Sequence, residues 1–253
     1  VFDNNDRPGI FLSSAIEKYS NLFGVACGQK NVLFTNNDSA YETAISLFQK
    51  GINVGAIIDN REEVDSKLIK EIEKNNIKIY KGYTVVNTFG YKKINKISIM
   101  QLSKDGQKVV GSKISIDCDC LGMSGGWTPA VHLFTQSGGK LKFRDEDQVF
   151  IPDTYPSDQI SIGSCNGEFT LDEILSSISK KLKDFLNIKK TEYENLEIQS
   201  HFNKTKRNIW LLPSDKIIGK TKPFVDYQND ATAKDIKLAL REGFRSIEHV
   251  KRY

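Results

Sequence analysis

Six residues, Thr35 to Ala40, follow a short apolar run, Asn31 to Phe34, and open an amphipathic stretch from Ala40 to Lys50. A strand that turns into a helix at such a place is where a dinucleotide-binding chain carries its G-x-G-x-x-G/A fingerprint. Here the six positions read Thr35-Asn36-Asn37-Asp38-Ser39-Ala40, so both leading glycines are absent and only the last small residue remains. The second glycine lets backbone approach a pyrophosphate, and Asn37 puts a side chain there. The helix end keeps its unpaired N–H groups and its dipole, with Thr35, Asn36, Asn37 and Ser39 as further donors, while Asp38 opposes an anion. Three readings stay open: a degenerate scaffold, a site for a single phosphate, and binding of NAD(P) itself. Asp59, at the end of the next apolar strand, holds the place of a ribose-binding acid. With the glycines gone, it reads more simply as a solvated residue at a helix start.

The other reactive side chains carry less. Cys118 and Cys120 form a C-x-C pair, but zinc sites want a second pair or nearby histidines, and Cys27 and Cys165 stand apart, so buried thiols are expected. His132, His201 and His249 are scattered, and His132 reads as a satisfied core or interface histidine. Ser124-Gly125-Gly126 lacks the strand–turn–helix setting of a nucleophile elbow. Asp145-Glu146-Asp147 reads as an exposed loop. No general acid or base stands out, and no catalytic residue is expected.

The elements that position the turn follow from periodicity. Apolar residues at 12, 15, 16, 19, 22 and 23 predict a helix over 7–23, closed by Gly24. Strands at 31–34, 54–58 and 77–80 alternate with helices at 40–50 and 61–75, an order that predicts a parallel sheet with right-handed crossovers. Short alternating strands fill 83–121, with Asp105-Gly106 as a hairpin turn. A glycine-rich loop spans 122–130, followed by a short helix at 131–134. A strand enters a turn at 160–167, and 171–186 is helical. Residues 187–222 read as a polar linker with Trp210 and its neighbours as an anchor. Thr232 and Asp235 have capping-box spacing at the start of a last helical segment.

The chain has 253 residues, 36 Lys and Arg against 32 Asp and Glu, and a net charge of +4. Length allows one large domain or two smaller ones. Charges are interspersed, apart from short runs such as Lys180-Lys181 and Lys204 to Arg207, which argues against a nucleic-acid partner. No stretch approaches 18 consecutive apolar residues, so no membrane span is expected. Val1 to Asp6 lacks a signal-peptide pattern and reads as a cut inside a longer protein.

Several blocks, in order along nearly the whole chain, carry a resemblance: Arg7 to Ile10, Phe34 to Tyr41, Ser124 to Phe134, Gln136 to Leu141, Phe224 to Asp230, Thr232 to Ile236 and Arg241 to Tyr253. Together they resemble the α subunit of heterotetrameric sarcosine oxidase, a cytoplasmic flavoenzyme family. The resemblance implies an internal fragment, inactive alone, of a complex of α, β, γ and δ subunits. That complex demethylates sarcosine to glycine with O2, giving H2O2 and formaldehyde or methylene-tetrahydrofolate. It implies FAD in the β subunit, FMN at the α/β interface, NAD held mainly by a region before this chain, and a folate domain after it.

The implied fold is α/β, of the Rossmann-like pyridine nucleotide-disulfide oxidoreductase type. Residues 25–121 form a degenerate Rossmann-like domain, 1–24 with 122–190 part of a split FAD/NAD(P)-type domain, 191–222 a linker, and 223–253 a small helical module. That module is similar to ferredoxin-like [2Fe–2S] modules, but Asp226-Tyr227-Gln228 stands where a C-x-C pair is expected and no cysteine follows Cys165, so no cluster forms. The implied FMN phosphate contacts are Thr35, Asn36, Asn37, Ser39, Thr232, Lys234 and Arg241. Gly163 and Ser164 fall where related folds touch the first domain's cofactor, here assigned to NAD. Two alternatives stand beside this: the α subunit of an opine- or proline-type dehydrogenase, or an assembly module without a ligand.

Overall fold

The computed structural model describes residues 1–64, 67–156, 158–187, 208–216 and 220–253. They form two compact units, residues 1–124 with 209–253, and residues 125–208.

The first unit opens with β1 (Ile10–Leu12), α1 (Ser13–Phe23), β2 (Asn31–Thr35), α2 (Ser39–Gln49), β3 (Val54–Asp59), α3 (Lys67–Lys74) and β4 (Lys78–Lys81). It continues with β5 (Tyr83–Phe89), β6 (Lys96–Leu102), β7 (Val109–Asp117) and β8 (Cys120–Ser124). Five strands make a parallel sheet in the order β1-β8-β2-β3-β4, and β5-β6-β7 make an antiparallel one. The expected strand–helix alternation over 31–80 is its β2-β3-β4 half.

Successive strand residues point to opposite faces, and both faces are covered. Leu33 and Ile57 join Ile16, Tyr41, Ala44 and Leu47 in a core on the helix side. Val32, Phe34, Ala56, Ile58 and Leu121 join Val85, Ile97 and Ile99 in a second core. Burial on both faces is why β2 and β3 read as unbroken apolar runs. Each fully buried Leu or Ile contributes about 1.5–3 kcal/mol.

Three expectations change in this unit. The helix predicted over 7–23 starts only at Ser13, because Ile10 to Leu12 pair as a strand with Leu121 to Met123. Its apolar stripe is not its buried face: Ser13, Ile16 and Ser20 are buried, while Tyr19, Leu22 and Phe23 are exposed. The glycine run begins as β8 rather than as loop. Gly122 is a packing residue, since a Cβ there would lie 2.6 Å from Leu33 Cδ2 and 2.8 Å from Ile16 Cδ1. The helix expected over 61–75 is described from Lys67 to Lys74, and Asn76, two residues on, has a positive φ that takes the chain out of the helix.

The second unit holds α4 (His132–Gln136), the antiparallel hairpin of β9 (Lys140–Arg144) and β10 (Val149–Thr154), and α5 (Leu171–Leu186). Residues 145–147, expected as a loop, are the tip of that hairpin. Residues 160–162 form no strand and lead into a 3₁₀ turn at Gly163–Asn166. His132, expected in a core or interface, is exposed at the start of α4. His201, the basic run 204–207, and 191–207 and 217–219 of the expected linker lie outside the described residues.

The chain returns to the first unit with β11 (Phe224–Asp226), β12 (Ala231–Thr232), α6 (Ala233–Arg241) and α7 (Ile247–Val250). This segment is tied to the first residues. Asn5 exchanges two hydrogen bonds with the Phe224 backbone, at 2.8 and 2.9 Å, and Asp3 accepts the Lys222 N–H at 2.8 Å and meets Lys216 Nζ at 3.1 Å. Within the expected anchor, Trp210 to Pro213, Leu212 is the buried side chain, whereas Trp210 is largely exposed.

Candidate functional site

Parallel strands in register bring Thr35, Asp59, Ser124 and Lys81 into one row at the carboxyl edge of the sheet, with Thr35 opposite both Asp59 and Ser124 and Asp59 opposite Lys81. In open α/β sheets ligands are bound at this edge. Here it is filled by the chain itself.

Asn37 is fully buried and spends its carboxamide inside the turn. Its Oδ1 accepts the Ser39 N–H at 3.0 Å, the Ser39 hydroxyl at 2.6 Å and the Ser124 hydroxyl at 3.1 Å. Its Nδ2 donates to Asn36 Oδ1 at 2.9 Å and to the Ser124 carbonyl at 3.1 Å. Thr35 Oγ1 accepts the Asn37 N–H at 3.0 Å and its hydroxyl lies 2.8 Å from the Asn37 carbonyl. Four of the predicted phosphate contacts, Thr35, Asn36, Asn37 and Ser39, are thus brought together, and their donors are engaged within the chain and on Ser124.

Beneath the turn lies a charged cluster. Arg61 Nη2 bridges Asp38 Oδ1 and Asp59 Oδ2, each at 2.8 Å, and Arg61 Nε reaches Asp59 Oδ1 at 3.1 Å. The Tyr41 hydroxyl donates to Asp59 Oδ2 at 2.9 Å. Asp59 is completely buried and Asp38 nearly so, whereas the Arg61 side chain keeps 18% of its surface. The expectation of a solvated Asp59 is therefore corrected: the guanidinium and phenol hold it inside. Burial pushes Tyr41 up, and Asp59 adds to that. Burial alone would depress Arg61, but its bonds to Asp59 and Asp38 raise it and keep it charged. Arg61 and Tyr41 are absent from the sequence-based site. Their signal is an acid at the end of an apolar strand with an arginine two residues on.

The remaining predicted residues lie elsewhere. Asp235 Oδ2 accepts the Thr232 N–H at 2.8 Å and the Thr232 hydroxyl at 2.6 Å, the reach-back of the expected capping box. Lys234 and Arg241 are exposed on α6, which packs on β12 and α7. In the second unit, Gly163 N–H donates to Glu168 Oε2 at 3.0 Å, and Glu168 also takes Asn166, Ser177 and Lys181. Burial works to raise the Glu168 pKa, but those bonds, led by Lys181, hold it below its ordinary value. The amino end of α5 is closed by a capping box of Thr170 and Glu173 and carries Asp172 and Glu173 in its first turn, a setting that repels anions.

Cys118, just after β7, and Cys120, at the start of β8, are buried in different cores, and burial pushes both thiols up to about 12. Cys27 and Cys165 are only partly buried. Among the described residues no three His, Cys, Asp or Glu side chains gather to hold a metal, and no helix is long and apolar enough to cross a membrane.

Comparison with known proteins gives this geometry a context. The family model of the sarcosine oxidase A3 domain matches residues 220–253, the segment that carries α6. The sarcosine oxidase α subunit of Corynebacterium sp. (strain P-1) is 31% identical over the whole chain, and that of Rhizobium meliloti (strain 1021) 30% identical. The chain is similar, end to end, to a segment of sarcosine oxidase α subunits. It spans about a quarter of their length, 26% and 24% respectively. Among solved structures, L-proline dehydrogenase from P. horikoshii aligns over 99% of this chain and 45% of its own, with a TM-score of 0.58 and 18% identity. A flavoprotein disulfide reductase from Escherichia coli aligns over 75% of this chain and 42% of its own, with a TM-score of 0.52 and 14% identity. These likenesses show the Rossmann-like α/β fold expected from the sequence.

Proposed function

We propose that this chain is a segment of the α subunit of a cytoplasmic sarcosine-oxidising flavoprotein, and that it serves as a scaffold rather than as the catalytic part. The observation that carries the reading is similarity to named α subunits along its full length. The whole enzyme would oxidise sarcosine to glycine with O2 as acceptor. FAD, NAD and folate, and the γ and δ subunits, belong in this reading mainly to parts outside the chain.

The chain's own contribution in the proposal is one face of an FMN site shared with a β subunit. A flavin phosphate wants unspent cations. Lys234 and Arg241 are exposed cations seven residues apart on α6, and the contact of Arg241 with Glu242 is a loose 3.7 Å. The donors of Thr35, Asn36, Asn37 and Ser39 are engaged, so these residues support the edge and the phosphate falls to α6. Gly163 and Ser164 keep only a weak place at an NAD site, since Glu168 holds the Gly163 N–H. Of residues 1–24 and 122–190, expected as part of a split nucleotide-binding domain, we keep 125–190 in that role, since residues 1–124 fall in one compact unit.

The test uses the full-length protein with its partner subunits. Sarcosine-dependent oxygen uptake and a flavin spectrum are expected, and Lys234→Ala with Arg241→Ala should lower flavin content without lowering the yield of folded complex. A complex that takes up no oxygen with sarcosine sinks the reading. Full flavin content in the double variant sinks the α6 assignment alone.

A further inference from the structure

We infer that the outward face of α1 is a docking face for an apolar helix from another part of the same, longer polypeptide. Leu12, Ala15, Tyr19 and Leu22 follow one another at steps of three, four and three residues, the seam of a packed helix pair. That seam faces solvent. Leu12 is 60% exposed, Leu22 67% and the adjacent Phe23 63%, and the Phe23 ring lies 5.9 Å from that of the exposed Tyr19. Gly24 ends the helix in a left-handed turn, and the Val25 N–H bonds the Tyr19 carbonyl at 3.1 Å, which adds an exposed Val25 to the end of the row. The helix is held to its sheet from another side, through Ser13, Ile16 and Ser20. A helix normally buries its apolar stripe. This one buries a half-polar face and leaves the apolar one outside.

Size and charge choose the occupant. Leu12, Tyr19, Leu22, Phe23 and Val25 together expose about 500 Å², taking about 200 Å² for a whole aromatic side chain. An apolar patch of that size on a soluble chain is often functional. It falls short of the roughly 800 Å² per partner that holds two separate molecules together. A segment tethered to the same polypeptide loses far less freedom on docking, so a small seam is enough for it. The named α subunits supply such a tether, since this chain spans only 26% and 24% of their length. A second copy fits poorly. Docked two-fold across Tyr19, it would set the exposed Lys18 against its own image, at a flanking position that governs partner choice. The occupant is therefore an apolar helical face of the same subunit, with an acid opposite Lys18. The inference rests on the proposed function only in taking this chain as part of a longer α subunit.

The decisive experiment replaces Phe23 by the photo-crosslinker p-benzoylphenylalanine in the full-length subunit, assembled with its partner subunits. After irradiation the crosslinked peptides are identified by mass spectrometry. The expected product is a crosslink within one polypeptide, to an apolar helix outside residues 1–253. A crosslink to another subunit or to a second copy overturns the inference. So does a product confined to residues 1–253, or none at all. A second measurement stands should the crosslinker prevent assembly. Leu22→Ser with Phe23→Ser should lower the midpoint of thermal unfolding of the full-length protein by a few degrees, because both side chains are covered there. An unchanged or raised midpoint, as for side chains left in water, overturns the inference. Neither measurement involves sarcosine, so oxygen uptake can fail while the crosslink forms, and the reverse.

Discussion

The turn at Thr35–Tyr41 and the turn at Ile162–Thr170 have the same outline, a chain entering a helix, and both hold the chain's own acids in ion pairs. They differ in depth. In the first, Asp38 and Asp59 are almost wholly enclosed and Arg61 bridges them. In the second, Glu168 keeps 17% of its side-chain surface and Lys181 keeps 30%, and their contact is backed by Ser177, Asn166 and a backbone N–H. Closure by enclosed charge stabilises strongly only while every partner is present, because a carboxylate stranded away from water has no solvent to fall back on. Closure near solvent is weaker and more forgiving. The same chemistry is therefore a structural lock in one place and a local brace in the other.

The sharpest way to break the contrast is Arg61→Ala. It takes the guanidinium away from two buried carboxylates, and it should cost about 3–5 kcal/mol in urea denaturation of the full chain. A loss below about 1 kcal/mol, the scale of an exposed pair, would mean that water enters the cluster and that the two turns are alike. Asn37→Ala comes next. It leaves the Ser39 N–H without its acceptor and takes one donor from the Ser124 carbonyl, which keeps the Asn36 N–H, and about 1–3 kcal/mol should be lost.

How much of this was open to sequence reading differs between the same two regions. The order β2-α2-β3-α3-β4 is legible because β2 and β3 are buried on both faces and each helix on one, so periodicity separates them. β1 is not legible: three residues are too short for a pattern, and only pairing with Leu121 to Met123 makes them a strand. β8 is hidden because Gly122 and Ser124 look like loop residues, whereas Gly122 is required by the approach of Leu33 and Ile16. The missing glycines could be read at Thr35 to Ala40, but what replaced them could not, because Arg61 is 23 residues from Asp38 and only the β2–β3 pairing brings them together. The Glu168 brace is more local, spanning 2 to 13 residues, yet nothing in its periodicity marks it.

The smallest and most discriminating effect should come from Glu168→Gln, which tests the shallow turn by pH. Glu168 is held below its ordinary pKa in the folded chain. Its contribution is therefore present above the unfolded value, about 4.3, and is lost as pH falls through the lower folded value. Wild-type stability should decline between about pH 5 and 3 more steeply than that of Glu168→Gln, and the two curves should converge at the acid end. At neutral pH the difference should stay below about 1 kcal/mol, because the pair is partly screened by solvent. Parallel curves across that window would show that Glu168 is not perturbed by its partners. A gap at pH 7 as large as that of Arg61→Ala would show that the second turn is locked by enclosed charge as well, and the distinction between lock and brace would have to be given up.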